Sequence, residues 1–192
     1  MKLFYFRILV IVISSAGNPA HGQGVPNFNP ATVMSRAELK TYRQSIWDTL
    51  PAAVGWVNDF EGIFKPEEED SLESLIAHFE KKTSIEIAIL SVDTNMVDQV
   101  KFSDFTGRVL RVWGIGKKLK RNGIVICISR GYQEMEIVTG AGIESYMSEP
   151  EKFEIIKKVF IPQYKKNKYY EGTLAGLEAI LQKISGRMFV HL

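Results

Sequence analysis

The spacing of apolar residues changes period several times along the chain, and each change marks an element. Leu39, Tyr42, Ile46 and Leu50 recur at helical spacing behind Ser35-Arg-Ala-Glu38, a capping box, and Pro51 closes the run. A helix is therefore expected over 36–49, packed on the domain as an appendage. Residues 56–64 read as a short extended stretch leading into a turn. Pro66 then opens a helix with Glu67, Glu68, Glu69 and Asp70 in its first turn, where carboxylates favour the positive end of the helix dipole. Leu72, Leu75, Ile76 and Phe79 give that helix one apolar face, with His78 near its edge as a half-exposed spacer.

Beyond it the period drops to two. Ile85, Ile87 and Ile89 alternate around Glu86, which predicts a strand over 85–92. Phe102, Phe105, Val109, Val112 and Trp113 restore helical spacing as far as Gly114, a helix-stop residue. Residues 124–129 form a continuous apolar run and residues 135–139 a second strand; the short link 130–134 favours an antiparallel hairpin. Ser148-Glu-Pro-Glu151 is another capping box, followed by Phe153, Ile156, Val159 and Phe160 until Pro162 perturbs or ends the helix. Tyr170, Leu174, Leu177, Leu181 and Ile184 mark a last helix, stopped at Gly186. Alternating strands and helices that give way to helices imply an α/β fold with a small mixed sheet and helices on both faces.

The N-terminus has a different pattern. Lys2 and Arg7 precede an apolar run over 8–13 and the small residues Ser14 to Gly17, the order of a secretory signal peptide. Residues 1–22 are expected to be removed after Gly22, with Ala20 an alternative stop. The apolar run is well short of the roughly 20 residues that cross a bilayer, so no retained transmembrane anchor is expected. Residues 23–53 are then a turn-rich lead and the first helix. Removal of the leader takes Lys2 and Arg7 and no acid, so 24 basic against 22 acidic residues becomes 22 against 22. A neutral chain has no global field for nucleic acid, which is excluded as a partner. The single cysteine, Cys127, lies in the apolar run 124–128 and reads as a small core hydrophobe.

Several catalytic systems lack their residues. His78 is the one histidine inside the expected domain, which argues against a Ser-His-Asp triad and a multi-histidine zinc site. Gln133 stands where a cysteine phosphatase needs its arginine, and Asp93-Thr94-Asn95 supplies one aspartate where an aspartyl-phosphate site needs two. Gly140-Ala-Gly142 follows a strand, but Ser145 replaces the third glycine of a dinucleotide loop, so a tight turn is the simpler reading. Oxygen-bearing side chains do stand at the expected loop ends: Asn58, Asp59, Asn122, Glu144 and Glu149. Hard cations such as calcium want such oxygens. Turn backbones also want Asn and Asp, and the turn reading comes first here.

Read in order, Trp56-Val-Asn-Asp-Phe-Glu-Gly62, Pro66-Glu-Glu-Glu69, Trp113-Gly-Ile-Gly116, Asn122-Gly123 and Thr139-Gly-Ala-Gly-Ile-Glu144 resemble the successive signatures of the TPM domain family, the thylakoid lumen, photosystem II repair and MOLO-like proteins. Ile161-Pro-Gln-Tyr164, Tyr169-Tyr-Glu-Gly172 and Leu174-Ala-Gly-Leu177 resemble its closing helices. The resemblance spans about 54–184. It implies a three-layer α/β/α sandwich over 54–186, leaving 187–192 as a tail, in an exported, periplasmic or secreted protein. It also implies an acidic divalent-metal site, with phosphatase activity attributed to a plant branch. Carried over residue by residue, that metal site is Asp59, Asn122 and Glu144, holding Ca2+ or another divalent cation. One departure is Arg121, preceded by Lys117, Lys118 and Lys120, where the family often has an acid before Asn-Gly. That loop offers an anion site or a solvated basic turn.

Two functions are therefore expected. The first is a binding or accessory module in the maintenance of an envelope or membrane-associated protein complex. The alternative is a metal-assisted acid phosphatase, with Asp59 as the candidate catalytic residue and the Lys117, Lys118, Lys120 and Arg121 loop neutralising phosphate.

Overall fold

The computed structural model describes residues 34–188, so the expected leader and most of the turn-rich lead lie outside the described residues. The capping box at Ser35 forms as expected: Glu38 N–H donates to Ser35 Oγ at 3.2 Å, Ser35 N–H donates to Glu38 at 2.8 Å, and α1 runs over Arg36–Asp48. Strand β1 is only Val57–Asp59. Its start is held by Glu73 of α2 (Pro66–Thr83), whose carboxylate accepts the N–H groups of Trp56 and Val57 at 2.8 Å. Strand β2 (Glu86–Ser91), α3 (Phe102–Val112), β3 (Gly123–Ser129) and β4 (Glu134–Thr139) follow. Gly114 takes φ +68, the left-handed backbone a helix stop requires. The C-terminal third comprises α4 (Glu149–Ile155), a π-turn over Ile156–Phe160, α5 (Ile161–Tyr164) and α6 (Tyr169–Met188).

The four strands lie in the order β1-β2-β3-β4, parallel from β1 to β3, with β4 antiparallel to β3. The hairpin read from the short link is therefore real. Because alternate strand residues face opposite sides, the sheet carries two cores. Ile87, Ile89, Ile124, Ile126, Ile128 and Ile137 face α2, α4, α5 and α6, packing on Leu72, Ile76, Phe79, Phe160, Leu177, Ile180 and Ile184. Ala88, Leu90, Val125 and Cys127 face the other way, onto Ile46 of α1 and Phe102, Phe105 and Val109 of α3. This is the expected sandwich of a mixed sheet between two helical layers.

The topology has a consequence for the site. The steps from β1 to β2 and from β2 to β3 cross the sheet in the same direction, yet α2 lies on one face and α3 on the other. The two crossovers are therefore of opposite hand, and one departs from the usual right-handed rule. Adjacent parallel strands whose following loops leave toward opposite faces open a crevice at their carboxyl ends, where open α/β sheets place ligands. Here that crevice lies over the ends of β1 and β2.

Candidate functional site

Asp59 ends β1 and Ser91 ends β2, and the two are paired in register at the crevice. Ser91 is fully buried. Its hydroxyl donates to Asp59 Oδ1 in a short hydrogen bond and accepts the Glu61 N–H at 2.8 Å. Asp59 Oδ2 accepts the Phe64 N–H at 2.8 Å, so both carboxylate oxygens are oriented while each keeps further acceptor capacity. Glu61 reaches across to the β3–β4 turn, where its carboxylate accepts the Arg130 N–H at 2.7 Å and the Gly131 N–H at 2.8 Å. Asp93, just beyond β2, accepts the Asn95 N–H at 2.7 Å.

The electrostatics tie these groups together. Burial pushes the Glu61 carboxyl above its ordinary range; the two N–H bonds and Arg130 pull it back in part, and Asp93 adds to the rise. Glu69, in the first turns of α2, is raised by burial and then by the negative charges of Asp59 and Asp70. The Tyr169 hydroxyl is raised by burial and by Glu61, against the pull of Arg130. Tyr169 also walls a neighbouring cleft of about 210 Å³, together with Ser129, Gln133, Glu134, Tyr164 and Lys165. A cluster of carboxyls, one arginine and tyrosines thus surrounds the strand ends.

The structure does not bring Asp59 to the other two residues of the expected metal set. Asp59 is level with Ser91 and Ile128, whereas Asn122 precedes Gly123 at the start of β3. Six residue steps separate those levels, about 20 Å at roughly 3.3 Å per residue. Asn122 and Glu144 do share the far edge, where the Gly142 N–H donates to the Arg121 carbonyl at 3.0 Å. Asn122 is buried and spends its amide on turn backbones: Oδ1 accepts the Lys117 N–H at 2.9 Å and Nδ2 donates to the Ser84 carbonyl at 2.8 Å. Glu144 is exposed beyond the short turn Ala141–Ile143. Asn58 likewise serves its turn, accepting the Val54 N–H at 2.7 Å, and Glu149 pairs with Lys152 at 2.6 Å.

The basic loop sits at that same far edge, away from Asp59. Lys117 is committed to Glu86 at 2.5 Å and Glu80 at 3.1 Å, and Lys120 donates to Ser84 Oγ at 2.7 Å; Lys118 and Arg121 are exposed. The single-site phosphatase arrangement, with Asp59 and Glu144 on one cation beside this loop, is therefore not assembled. Gly140 and Gly142 are explained by close backbone approach, since a Cβ on either would overlap the carbonyl of Arg121 or Lys120. Sequence reasoning missed Ser91 as the partner of Asp59, Glu61 as the neighbour bonded to Ser91, and Glu69 as the carboxyl that the Asp59 charge raises. Ser91 carried a signal, as a hydroxyl closing the apolar run 87–90 of β2.

Among the described residues, no group of three or more His, Cys, Asp or Glu side chains converges on one point. The negative charge of Asp59 adds to the rise of the Glu69 carboxyl, and hard divalent ions in general take carboxylate and carbonyl oxygens with water completing the shell.

Fold and crevice together define an open α/β sheet domain with a polar, acidic site at a topological switch point. The TPM domain profile matches residues 57–183, and the chain belongs to the TPM domain family. No curated protein matches it. Among solved structures it resembles the N-terminal domain of a protein from P. gingivalis, with 24% identity and TM-score 0.63 over 68% of this chain and 82% of that one. It also resembles the BA42 protein of Bizionia argentinensis, at 20% identity and TM-score 0.57 over 67% and 86%. A third likeness is the N-terminal domain of a Corynebacterium glutamicum protein, at 12% identity and TM-score 0.52 over 69% and 80%. These likenesses carry the fold. Helix α1 lies before the matched span.

Proposed function

We propose that this protein is an exported TPM-type binding module that serves an envelope or membrane-associated complex, with a divalent cation of the calcium type bound at the crevice over β1 and β2. The observation that carries this reading is the switch point. It holds both carboxylate oxygens of Asp59 in fixed hydrogen bonds at the strand ends, where the Asp59 charge also raises the Glu69 carboxyl. A bound cation would offset that negative charge, with Asp59 and Glu69 as the carboxylates to hold it. Export is supported by the charged start, apolar run and small exit residues of 1–22.

Calcium titration followed by thermal unfolding tests the site. The midpoint is expected to rise in millimolar calcium for the wild type and to stay flat for Asp59→Asn, because only a ligand bound to the native state stabilises it. A flat wild-type response would remove the cation from this reading. Hydrolysis of a generic phosphate ester that Asp59→Asn abolishes would replace the binding module with a phosphatase. Mass spectrometry of protein from the envelope fraction tests export: an intact Met1 start would refute cleavage.

A further inference from the structure

A second surface lies on the opposite helical layer, where α1 meets the segment after β2. A groove of about 510 Å³ opens there, within the usual size of ligand pockets. Its floor is apolar: Leu39 and Trp47 of α1, and Met96 and Val97 after β2. Its rim is cationic. Arg36, Lys40 and Lys101 are exposed around it, while its one acid, Asp98, is already paired with Arg43 at 3.1 Å. Lys101 is held with its ammonium 5.2 Å from the centre of the Trp47 ring, and Val100 beside it is 88% exposed.

The walls are fixed in place. Arg43 donates to the Thr94 carbonyl at 2.7 Å and to the Tyr132 hydroxyl at 3.0 Å. Arg108 donates to the Trp47 carbonyl at 2.8 Å, and the Trp113 indole to the Pro51 carbonyl at 2.9 Å. These bonds pin α1 and its connection to the family core. A helix outside the family span thus completes a preformed groove.

We propose that this groove docks an acidic peptide segment of a partner protein, one large apolar side chain entering the floor between Leu39, Trp47 and Met96 while flanking carboxylates meet Arg36, Lys40 and Lys101. Tryptophan, methionine and arginine are the residues that interfaces favour, and anchors sit in pockets ringed by polar contacts. Charge selects the partner, since three exposed cations, Lys101 among them over the Trp47 ring, surround a concave apolar floor on a molecule that is close to neutral. Concavity selects a peptide over a bilayer, because a flat lipid surface needs apolar groups that project. The proposal is independent of the cation site.

Fluorescence anisotropy with labelled synthetic peptides tests it on the mature protein. The probes are Glu-Asp-Leu-Phe-Asp-Glu, its charge-reversed form Lys-Lys-Leu-Phe-Lys-Lys, and Glu-Asp-Gly-Gly-Asp-Glu. The first is expected to bind and the other two to fail. The double variant Arg36→Glu, Lys40→Glu alters exposed positions and keeps the helix, because acids suit its first turns; its affinity is expected to fall at least about tenfold, roughly 1.4 kcal/mol. Lys118→Glu with Arg121→Glu makes the same charge change at the far edge and is expected to leave affinity within about twofold, since charges more than a Debye length away are screened. Failure of the first peptide to bind, equal binding of the glycine peptide, or equal loss in both double variants would each overturn the proposal. So would binding to phosphatidylglycerol vesicles that Arg36→Glu, Lys40→Glu abolishes in a protein indifferent to the peptides, which would assign the face to a membrane.

Discussion

Glu69 is held above the ordinary carboxylate range first by burial and then by Asp59 and Asp70. A carboxyl whose native pKa exceeds its unfolded one makes the native state bind more protons. Its effect is therefore a stability that falls as pH rises from about 4.3, the unfolded value, through the raised native value. Glu61 and Glu136 are also raised, in both cases mainly by burial. Glu151 is shifted the opposite way by Lys183, the Ser148 N–H and Arg187, so its contribution is present above the ordinary carboxylate range and lost as acid protonates it. Replacing Glu69 with glutamine removes an unfavourable charge. Glu69→Gln is expected to raise the melting temperature at pH 7 and to flatten the decline between roughly pH 4 and pH 7. Thermal unfolding across that range measures both, and an unchanged slope would acquit Glu69.

The helices after the sheet show what a chain does with an internal proline. Pro162 has no N–H for the next rung of the helix ladder. The chain widens to a π-turn over Ile156–Phe160 and resumes in α5, so α4 and α5 form one interrupted rod. That rod seats its aromatics on glycines of α6. A Cβ on Gly176 would overlap the ring of Phe160, which is fully buried, and one on Gly172 would crowd Tyr164. Tyr164 completes the seat with a 2.8 Å hydrogen bond between its hydroxyl and Thr173. Gly176→Ala is expected to cost about 1–3 kcal/mol by overpacking, in spite of alanine's better helix propensity. Urea denaturation decides it; a stabilised variant would show that Phe160 moves aside freely. Most elements were legible because their signals are local: the box at Ser35, the stop at Gly114, the four residues 130–133 that turn β3 into β4. The π-turn was only half legible, since Pro162 announces a disturbance whereas neighbouring packing chooses its form.

Across the whole molecule, the fold class followed from the succession of periods, whereas the site did not. Asp59, Asn122 and Glu144 were grouped by family resemblance, and strand register alone separates Asp59 from the other two. Its hydrogen-bond partner Ser91 and the carboxyl its charge raises, Glu69, lie 32 and 10 positions away in the chain, on a neighbouring strand and on α2. No periodicity encodes that meeting. The separation predicts that Asp59→Asn and Asn122→Ala combine additively in stability, within about 0.5 kcal/mol, because sites beyond roughly 10 Å rarely couple. A double-mutant cycle with larger coupling would contradict the observed register. The three-residue β1 also has a kinetic meaning. Strands β3 and β4 close a short loop, while β1 must find β2 across a long one at the rim of the sheet. Val57→Ala is therefore expected to speed unfolding and leave refolding nearly unchanged, whereas Ile126→Val should slow refolding. Similar effects of both on the refolding arm of a chevron would refute that order. If β1 docks last, the crevice that Asp59 lines is completed only when the rest of the sheet is already in place.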